Sequence, residues 1–128
     1  IAANVKMGRE EMTLGDIRDA LNRVGLLAEV QALPQGINTI LATGGNPLSG
    51  GQAARLMLAR AISSRPRLLI LDESLDRIDD AADRRRVEEM LFDRSAPWTL
   101  IVVSHRDDIL AFCDRVVELR AGMVEAAA

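Results

Sequence analysis

The sequence is poor in aromatic residues, cysteine and histidine. Its 128 residues include one tryptophan, two phenylalanines and no tyrosine, so the core must be built from aliphatic side chains. Cys113 is the single cysteine, which excludes an intrachain disulfide. His105 is the single histidine, and together with one distant cysteine it cannot supply the ligand set of a zinc site.

The sequence also lacks a basic excess and long apolar runs. Sixteen Lys and Arg against 19 Asp and Glu give a formal charge of −3, which argues against a dedicated nucleic-acid-binding protein. No run approaches the roughly 18 to 20 continuous apolar residues that span a bilayer, and no signal peptide is recognisable. With 48% hydrophobic residues the chain is too apolar for intrinsic disorder. Because it opens at Ile1 without an initiator methionine, we expect it to be part of a longer protein.

Apolar residues spaced three and four apart predict that the first half of the chain is mostly helical. Thr13 is an N-cap candidate, and Asp16 three residues later can complete a capping box. Ser49 is a second N-cap candidate, after a glycine-rich loop. The predicted elements are helices from Thr13 to about Gly25, over Leu26–Ala32 and over about Gly50–Ser63, with a short extended segment at Ile37–Leu41.

The second half alternates short aliphatic runs with helical segments. Leu68–Leu71 is a continuous aliphatic run followed by acids, which is typical of a fully buried parallel strand. Strands that alternate with helices predict right-handed crossovers and a parallel sheet, so the fold class is α/β. The predicted elements are strands at Leu68–Leu71, Leu100–Val103 and Arg115–Leu119, and helices from Asp80 to about Asp93 and over Asp107–Phe112.

The segment Leu48–Gln52, with the sequence LSGGQ, has the chemistry of an anion site. A serine hydroxyl and glycine amides lie at the predicted start of a helix, where the helix dipole favours a phosphate. From these residues alone, a capped helix start without any ligand is an equal alternative.

Acidic and imidazole side chains follow two of the predicted strands. Asp72 and Glu73 end the first strand, and ligands of open parallel sheets bind beyond the carboxyl ends of the strands. An aspartate at this place can hold Mg²⁺, and a following glutamate can polarise an attacking water. His105 follows the next strand and leaves the same edge, where it could reach a terminal phosphate. Ordinary solvated surface residues are the alternative at each position.

Together these segments resemble the nucleotide-binding domain of ATP-binding-cassette (ABC) proteins in order and separation. Leu48–Gln52 matches the family's signature motif at every position, and Leu68–Glu73 is similar to its Walker B motif with the catalytic glutamate. Val102–Arg106 is similar to the H-loop. Asp76–Asp79 stands where the D-loop SALD falls, with Asp76 in place of the serine.

The resemblance implies the C-terminal portion of a P-loop NTPase (RecA-like) parallel sheet together with the α-helical signature subdomain. Residues 1–66 would form the helical subdomain, and residues 67–128 the later part of the ATPase core. In the family, ATP is sandwiched between the P-loop of one cassette and the signature of another. The implied roles are γ-phosphate binding for Ser49, Gly50, Gly51 and Gln52, Mg²⁺ binding for Asp72, catalysis for Glu73 and His105, and a dimer-interface contact linking the two nucleotide sites for Asp79.

The N-terminal half is similar to exporter-type cassettes. Ile1–Val5 resembles their TIRENI segment, and Leu33–Gly36 resembles their LPDG turn. Ala42 and Thr43 depart from the Gly-Glu of the exporter X-loop, which contacts the membrane domain. The resemblance implies a cytoplasmic ATPase at the inner membrane that drives export, with a second nucleotide-binding domain and a transmembrane domain fused upstream as partners. Alternatives are a non-transport ABC ATPase in DNA repair, chromosome maintenance or translation, and a non-hydrolytic regulatory module.

No G-x-x-x-x-G-K-[ST] pattern occurs in the sequence, and the glycine-rich loop Gly44–Gly51 has no lysine. Without the amides and lysine of this phosphate cradle, we expect the 128-residue chain alone to bind MgATP very weakly and to hydrolyse none. Isothermal titration calorimetry with MgATP checks this. A micromolar dissociation constant would contradict it.

Overall fold

The computed structural model describes residues 1–127, and within them six helices and four strands. No helix in this range combines the length and the apolar character needed to cross a bilayer. Short 3₁₀ turns connect some of the elements. The helices are α1 (Ala2–Lys6), α2 (Leu14–Arg23), α3 (Leu27–Ala32), α4 (Gly50–Ile62), α5 (Ala81–Leu91) and α6 (Asp107–Leu110), and the strands are β1 (Leu68–Asp72), β2 (Thr99–Val103), β3 (Val117–Arg120) and β4 (Met123–Ala127).

Capping side chains fix where the two longest helices of the first half begin. The Thr13 hydroxyl accepts a hydrogen bond from the Asp16 amide at 3.2 Å, and Asp16 accepts from the Thr13 amide at 2.9 Å, which confirms the predicted capping box. Ser49 caps α4 as predicted, and Gln52 completes a second capping box there. Gly25, with φ +73°, follows the end of α2 in a conformation that favours glycine.

Strands β1 and β2 pair in parallel, in the register from Leu68 opposite Thr99 to Asp72 opposite Val103. Helix α5 lies between them in the chain, so the predicted strand–helix–strand unit is confirmed. The prediction that Leu68–Leu71 is buried on both faces is wrong. Leu69 and Leu71 lie in the core, but Leu68 and Ile70 are 51% and 60% exposed because no element among residues 1–127 covers that face.

The third predicted strand does not join the parallel sheet. β3 pairs antiparallel with β4 in a separate two-stranded sheet. Ala121 and Gly122 both have positive φ, at 50° and 79°, which is the requirement of a two-residue hairpin turn. This turn returns the chain onto β3 at once, so an antiparallel hairpin forms.

The segment Ile37–Leu41 is not an extended strand. Gly36–Asn38 forms a 3₁₀ turn, and the Thr39 hydroxyl donates a hydrogen bond to the Gly36 carbonyl at 2.7 Å. This local side-chain bond competes with extended backbone, which explains why the prediction is wrong.

A single aliphatic core joins the helical first half to the sheet. Trp98 lies at its margin, where the indole N–H donates to the Leu91 carbonyl at 3.1 Å. The largest fully buried side chains come from α2, α4, α5, α6 and the segments that join them: Leu21, Leu26, Ile62, Ile78, Leu91 and Ile109.

Leu21 and Leu14 offer a matched test of this core on one helix. Leu21 is fully buried whereas Leu14 is 59% exposed. We expect Leu21→Ala to lower the free energy of unfolding by about 2 to 5 kcal/mol, since it removes buried methyl groups and leaves a cavity. Leu14→Ala should change it by no more than about 0.5 kcal/mol. Urea unfolding followed by circular dichroism measures the free energy of unfolding of both variants. Equal losses of stability would contradict the burial of Leu21 and the exposure of Leu14.

The capping box of α2 predicts a pH dependence of stability. Hydrogen bonds from the Thr13 hydroxyl and amide lower the pKa of Asp16 from its ordinary value of 3.8. A lowered folded-state pKa means that the stabilisation is present above the ordinary value and is lost as pH falls through the folded-state value. The stability difference between the wild type and Asp16→Asn should therefore shrink as pH falls from about 5 to about 2. Asp19→Asn, on the same helix, is the control, and an equal pH response in both variants would contradict the assignment.

Candidate functional site

The carboxyl ends of β1 and β2 form one edge of the parallel sheet. Asp72 is the last residue of β1 and lies opposite Val103, the last residue of β2. The Glu73 amide donates to the Val103 carbonyl at 3.0 Å, so the pairing extends one residue beyond the strands. Residues that follow the two strands therefore leave the sheet side by side.

Glu73 and His105 meet at this edge. Nε2 of His105 lies 3.4 Å from Oε1 of Glu73. Both side chains are accessible to solvent, with 88% of the His105 side chain and 56% of the Glu73 side chain exposed. Glu73 has φ 48°, a left-handed conformation that is uncommon for residues other than glycine and is enriched at functional sites. The pair presents one proton acceptor and one imidazole to a molecule bound above the edge.

Asp72 is exposed next to this pair. The Ser74 hydroxyl donates to the Asp72 backbone carbonyl at 3.2 Å, while the Asp72 carboxylate has no ion pair among residues 1–127. Residues 1–127 contain no group of three or more His, Cys, Asp or Glu side chains arranged to bind a metal ion. Mg²⁺ is commonly bound by one or two carboxylates, waters and substrate phosphates, and a single free carboxylate fits that kind of site.

The signature residues lie at the start of α4. Ser49 and Gly50 are exposed, and Gly51 and Gln52 are half-buried. The Gln52 amide donates to the Ser49 hydroxyl oxygen at 3.2 Å, which leaves the hydroxyl hydrogen free to donate elsewhere. The amides of Gly50 and Gly51 have no acceptor within the part of the chain that the structure describes, as is usual for the first turn of a helix. These groups can bind an anion.

The signature does not contact the catalytic candidates in this chain. Within residues 1–127, no hydrogen bond or ion pair joins Leu48–Gln52 to Asp72, Glu73 or His105. The start of α4 instead lies against the turn that follows β1: a Cβ at Gly51 would lie 3.7 Å from the Arg77 carbonyl oxygen.

The D-loop segment leaves that turn toward the surface. Asp79 is exposed, and Asp80 caps α5 by accepting from two amides at 2.9 Å each. Arg106, next to His105, lies with Nη1 3.8 Å from Asp76 Oδ1. A hydrogen bond and the charge of Asp108, together with the charge of Asp76, raise the pKa of Arg106. Asp76 is thus paired with the residue that follows His105.

A buried charge network supports the signature, and the sequence reasoning missed it. Arg55 on α4 is only 3% exposed. Its guanidinium lies 2.7 Å from Glu29 on α3 and 2.9 Å from Asp83 on α5, and it donates to the Gly25 carbonyl at 2.9 Å. A signal was available, since Arg55 falls on the same helical stripe as the buried Ala59 and therefore needs buried partners.

Glu29 connects this network to the signature. Its carboxylate accepts a hydrogen bond from the Gln52 side-chain amide as well as from Arg55. Partial burial raises the pKa of Glu29, but the hydrogen bonds from Gln52 and Arg55 and the charge of Arg55 outweigh it, so the pKa of Glu29 lies below its ordinary value. Glu29 is therefore held in its charged form at neutral pH.

Comparison with proteins of known structure identifies the fold. A bacterial Atm1-family ABC exporter solved with ATP bound matches with a TM-score of 0.89 and 24% identity, over 98% of this chain and 22% of that chain. This likeness shows the fold, which is α/β with a parallel sheet, as predicted.

Comparison of sequences identifies the family. The family model for the ABC transporter matches residues 4–76, more than half of the chain. An ABC transporter B family member 13 from Arabidopsis thaliana is 36% identical over 97% of this chain, and an ATP-dependent lipid A-core flippase from Chromobacterium violaceum is 34% identical over 95%. The multidrug resistance protein sirA from Leptosphaeria maculans is 37% identical over 90%. The chain spans only 10%, 21% and 9% of the lengths of these three proteins. The chain belongs to the ABC transporter family.

Proposed function

We propose that this chain is part of an ABC ATPase that couples ATP binding and hydrolysis to export across a membrane. The observation that carries the proposal is the Glu73–His105 pair, 3.4 Å apart at the carboxyl edge of the parallel sheet. A terminal phosphate and an attacking water bind at such an edge in enzymes of this architecture. The names of the similar proteins, a flippase and a multidrug resistance protein among them, support transport as the process that is driven.

In the proposed reaction Glu73 accepts a proton from the water that attacks the γ-phosphorus, while the bond from the γ-phosphorus to the bridging oxygen breaks and ADP leaves with that oxygen. His105 donates a hydrogen bond to a γ-phosphate oxygen and orients the Glu73 carboxylate. Asp72 would hold Mg²⁺, whose chemistry when bound is to neutralise phosphate charge. The exposed position of all three side chains leaves room for the nucleotide above the sheet edge. The cofactors of the complete protein would therefore be ATP and Mg²⁺.

The signature serves a second nucleotide in this proposal. Ser49, Gly50 and Gly51 would bind the γ-phosphate of ATP held by a partner cassette, using the hydroxyl, the amides and the dipole of α4. Gln52 would serve that phosphate by holding these donors in place through its bonds to Ser49 and Glu29. Two observations support a role toward the nucleotide of a partner. The signature makes no hydrogen bond or ion pair with Glu73 or His105, and its residues Ser49 and Gly50 are exposed.

The proposed organisation follows from these roles. Residues 1–66 would be the helical signature subdomain and residues 67–128 the later part of the ATPase core. The exposed Asp79 would lie at the interface with the second nucleotide-binding domain and link the two nucleotide sites. A transmembrane domain is the second proposed partner, and the proposed location of the ATPase is the cytoplasmic side of the inner membrane. No nucleic-acid partner is proposed, and the acidic net charge of −3 agrees with that.

Glu73→Gln tests the assignment of the proton acceptor in the complete transporter. The neutral amide keeps the size of the side chain but cannot accept the proton, so ATP hydrolysis should fall by about 100-fold or more. Binding is retained, so the variant should accumulate as a closed, ATP-bound dimer. Phosphate release and size-exclusion chromatography with ATP measure the two effects.

Glu11→Gln is the control, since Glu11 is an exposed glutamate outside the site. It should hydrolyse ATP as the wild type does. Unchanged turnover in Glu73→Gln would exclude Glu73 as the proton acceptor.

A further inference from the structure

We propose that Glu29 and Arg55 are positioning residues that hold the signature in its phosphate-binding shape and tie it to the D-loop. The inference rests on the proposed function. It adds two residues outside the signature, Walker B, D-loop and H-loop motifs, and it names the path through which they act.

Arg55 is buried, and a buried charge destabilises a protein unless it is paired. A guanidinium does not lose its proton in a protein, so a buried arginine must be neutralised by carboxylates. Arg55 is 3% exposed, and its two carboxylate partners come from different helices, Glu29 on α3 and Asp83 on α5. Nη1 also bonds to the Gly25 carbonyl at 2.9 Å, behind the end of α2. One side chain thus fixes α4 against three other segments.

Glu29 carries this constraint to the signature. The Gln52 carboxamide is used at both ends: its oxygen accepts from the Ser49 amide at 2.8 Å, and its nitrogen donates to Glu29. Both ends are therefore fixed, and the side chain cannot rotate without breaking a bond to a charged group. The Ser49 hydroxyl and the amides of Gly50 and Gly51 are left as the donors available for a phosphate.

Asp83 links Arg55 to the start of α5, next to the D-loop residue Asp79. It lies in the first turn of α5, whose N-cap Asp80 directly follows Asp79. The ion pair between Arg55 and Asp83 at 2.9 Å therefore fixes the start of α5 relative to the signature helix. Both segments that we assign to the dimer interface are held by a single guanidinium.

This arrangement predicts an effect on nucleotide affinity rather than on the chemical step. Glu29→Gln keeps the shape of the side chain but removes the charge that orders Gln52 and Arg55. In the complete transporter we expect KM for ATP to rise about 10-fold or more, because misplaced donors bind phosphate poorly. The kcat at saturating ATP should stay within about threefold, since Asp72, Glu73 and His105 are not touched.

Arg55 variants provide the graded comparison. Arg55→Met should raise KM at least as much as Glu29→Gln. Arg55→Lys should lie in between, because an ammonium keeps the charge but cannot bridge two carboxylates and a carbonyl with the same fork. Glu89→Gln, which removes the exposed partner of Arg85 on α5, is the matched control and should leave KM unchanged.

A double variant tests the path. If Glu29 acts through Gln52, adding Glu29→Gln to Gln52→Ala should produce no further rise in KM. Additive effects, or an unchanged KM in Glu29→Gln while its thermal stability falls, would show a merely structural role and overturn the proposal. If Arg55→Met fails to fold, the KM values of Glu29→Gln and Arg55→Lys still test the proposal. A wild-type transporter without ATPase activity would instead refute the proposed function itself.

Discussion

The parallel pairing of β1 with β2 is the constraint on which the candidate site depends. Parallel strands end at one edge, so the pairing of Asp72 with Val103 brings Glu73 and His105 to within 3.4 Å of each other. It also requires a crossover, because two parallel strands cannot be joined by a tight turn. That crossover is the D-loop turn and α5, and the turn supplies the surface against which Gly51 packs at the start of the signature helix. One register thus determines the positions of both functional segments.

Arg55 and the three candidate catalytic and metal-binding side chains have different surroundings. Arg55 is buried and paired twice, and it holds helices together. Asp72, Glu73 and His105 are exposed, and the backbone pairing with β2 holds Asp72 and Glu73 in place. Buried pairs resist change because breaking one leaves an uncompensated charge, whereas exposed groups can exchange water for a ligand at little cost. This separation lets the framework stay rigid while the reacting groups remain free to bind.

Local patterns made part of this structure predictable. The capping boxes that begin at Thr13 and Ser49 predict two helix starts, because each motif lies within four consecutive residues. The two aliphatic runs predict the parallel pair. The helical stripe could indicate that Arg55 is buried, but its partners Glu29 and Asp83 could not be predicted, since they come close only after three helices have packed. The one-sided burial of β1 depends likewise on what lies above the sheet, which a single strand sequence does not encode. The antiparallel pairing of β3 with β4 could not be predicted from the aliphatic run of β3, because such a run does not specify which strand it pairs with.

The two chemical halves of the proposed site do not meet within this chain. No bond joins the donors at Ser49, Gly50 and Gly51 to the Glu73–His105 pair among residues 1–127, and in the proposed function the two sets serve different ligands. In the proposed function, a phosphate bound at both sets would draw them from two different cassettes. Hydrolysis would then depend on association of the cassettes, because neither would have a complete site alone. The fixed link from Gln52 through Glu29 and Arg55 to Asp83 supports this reading, since it lets the approach of a partner at the signature reach the segment next to Asp79.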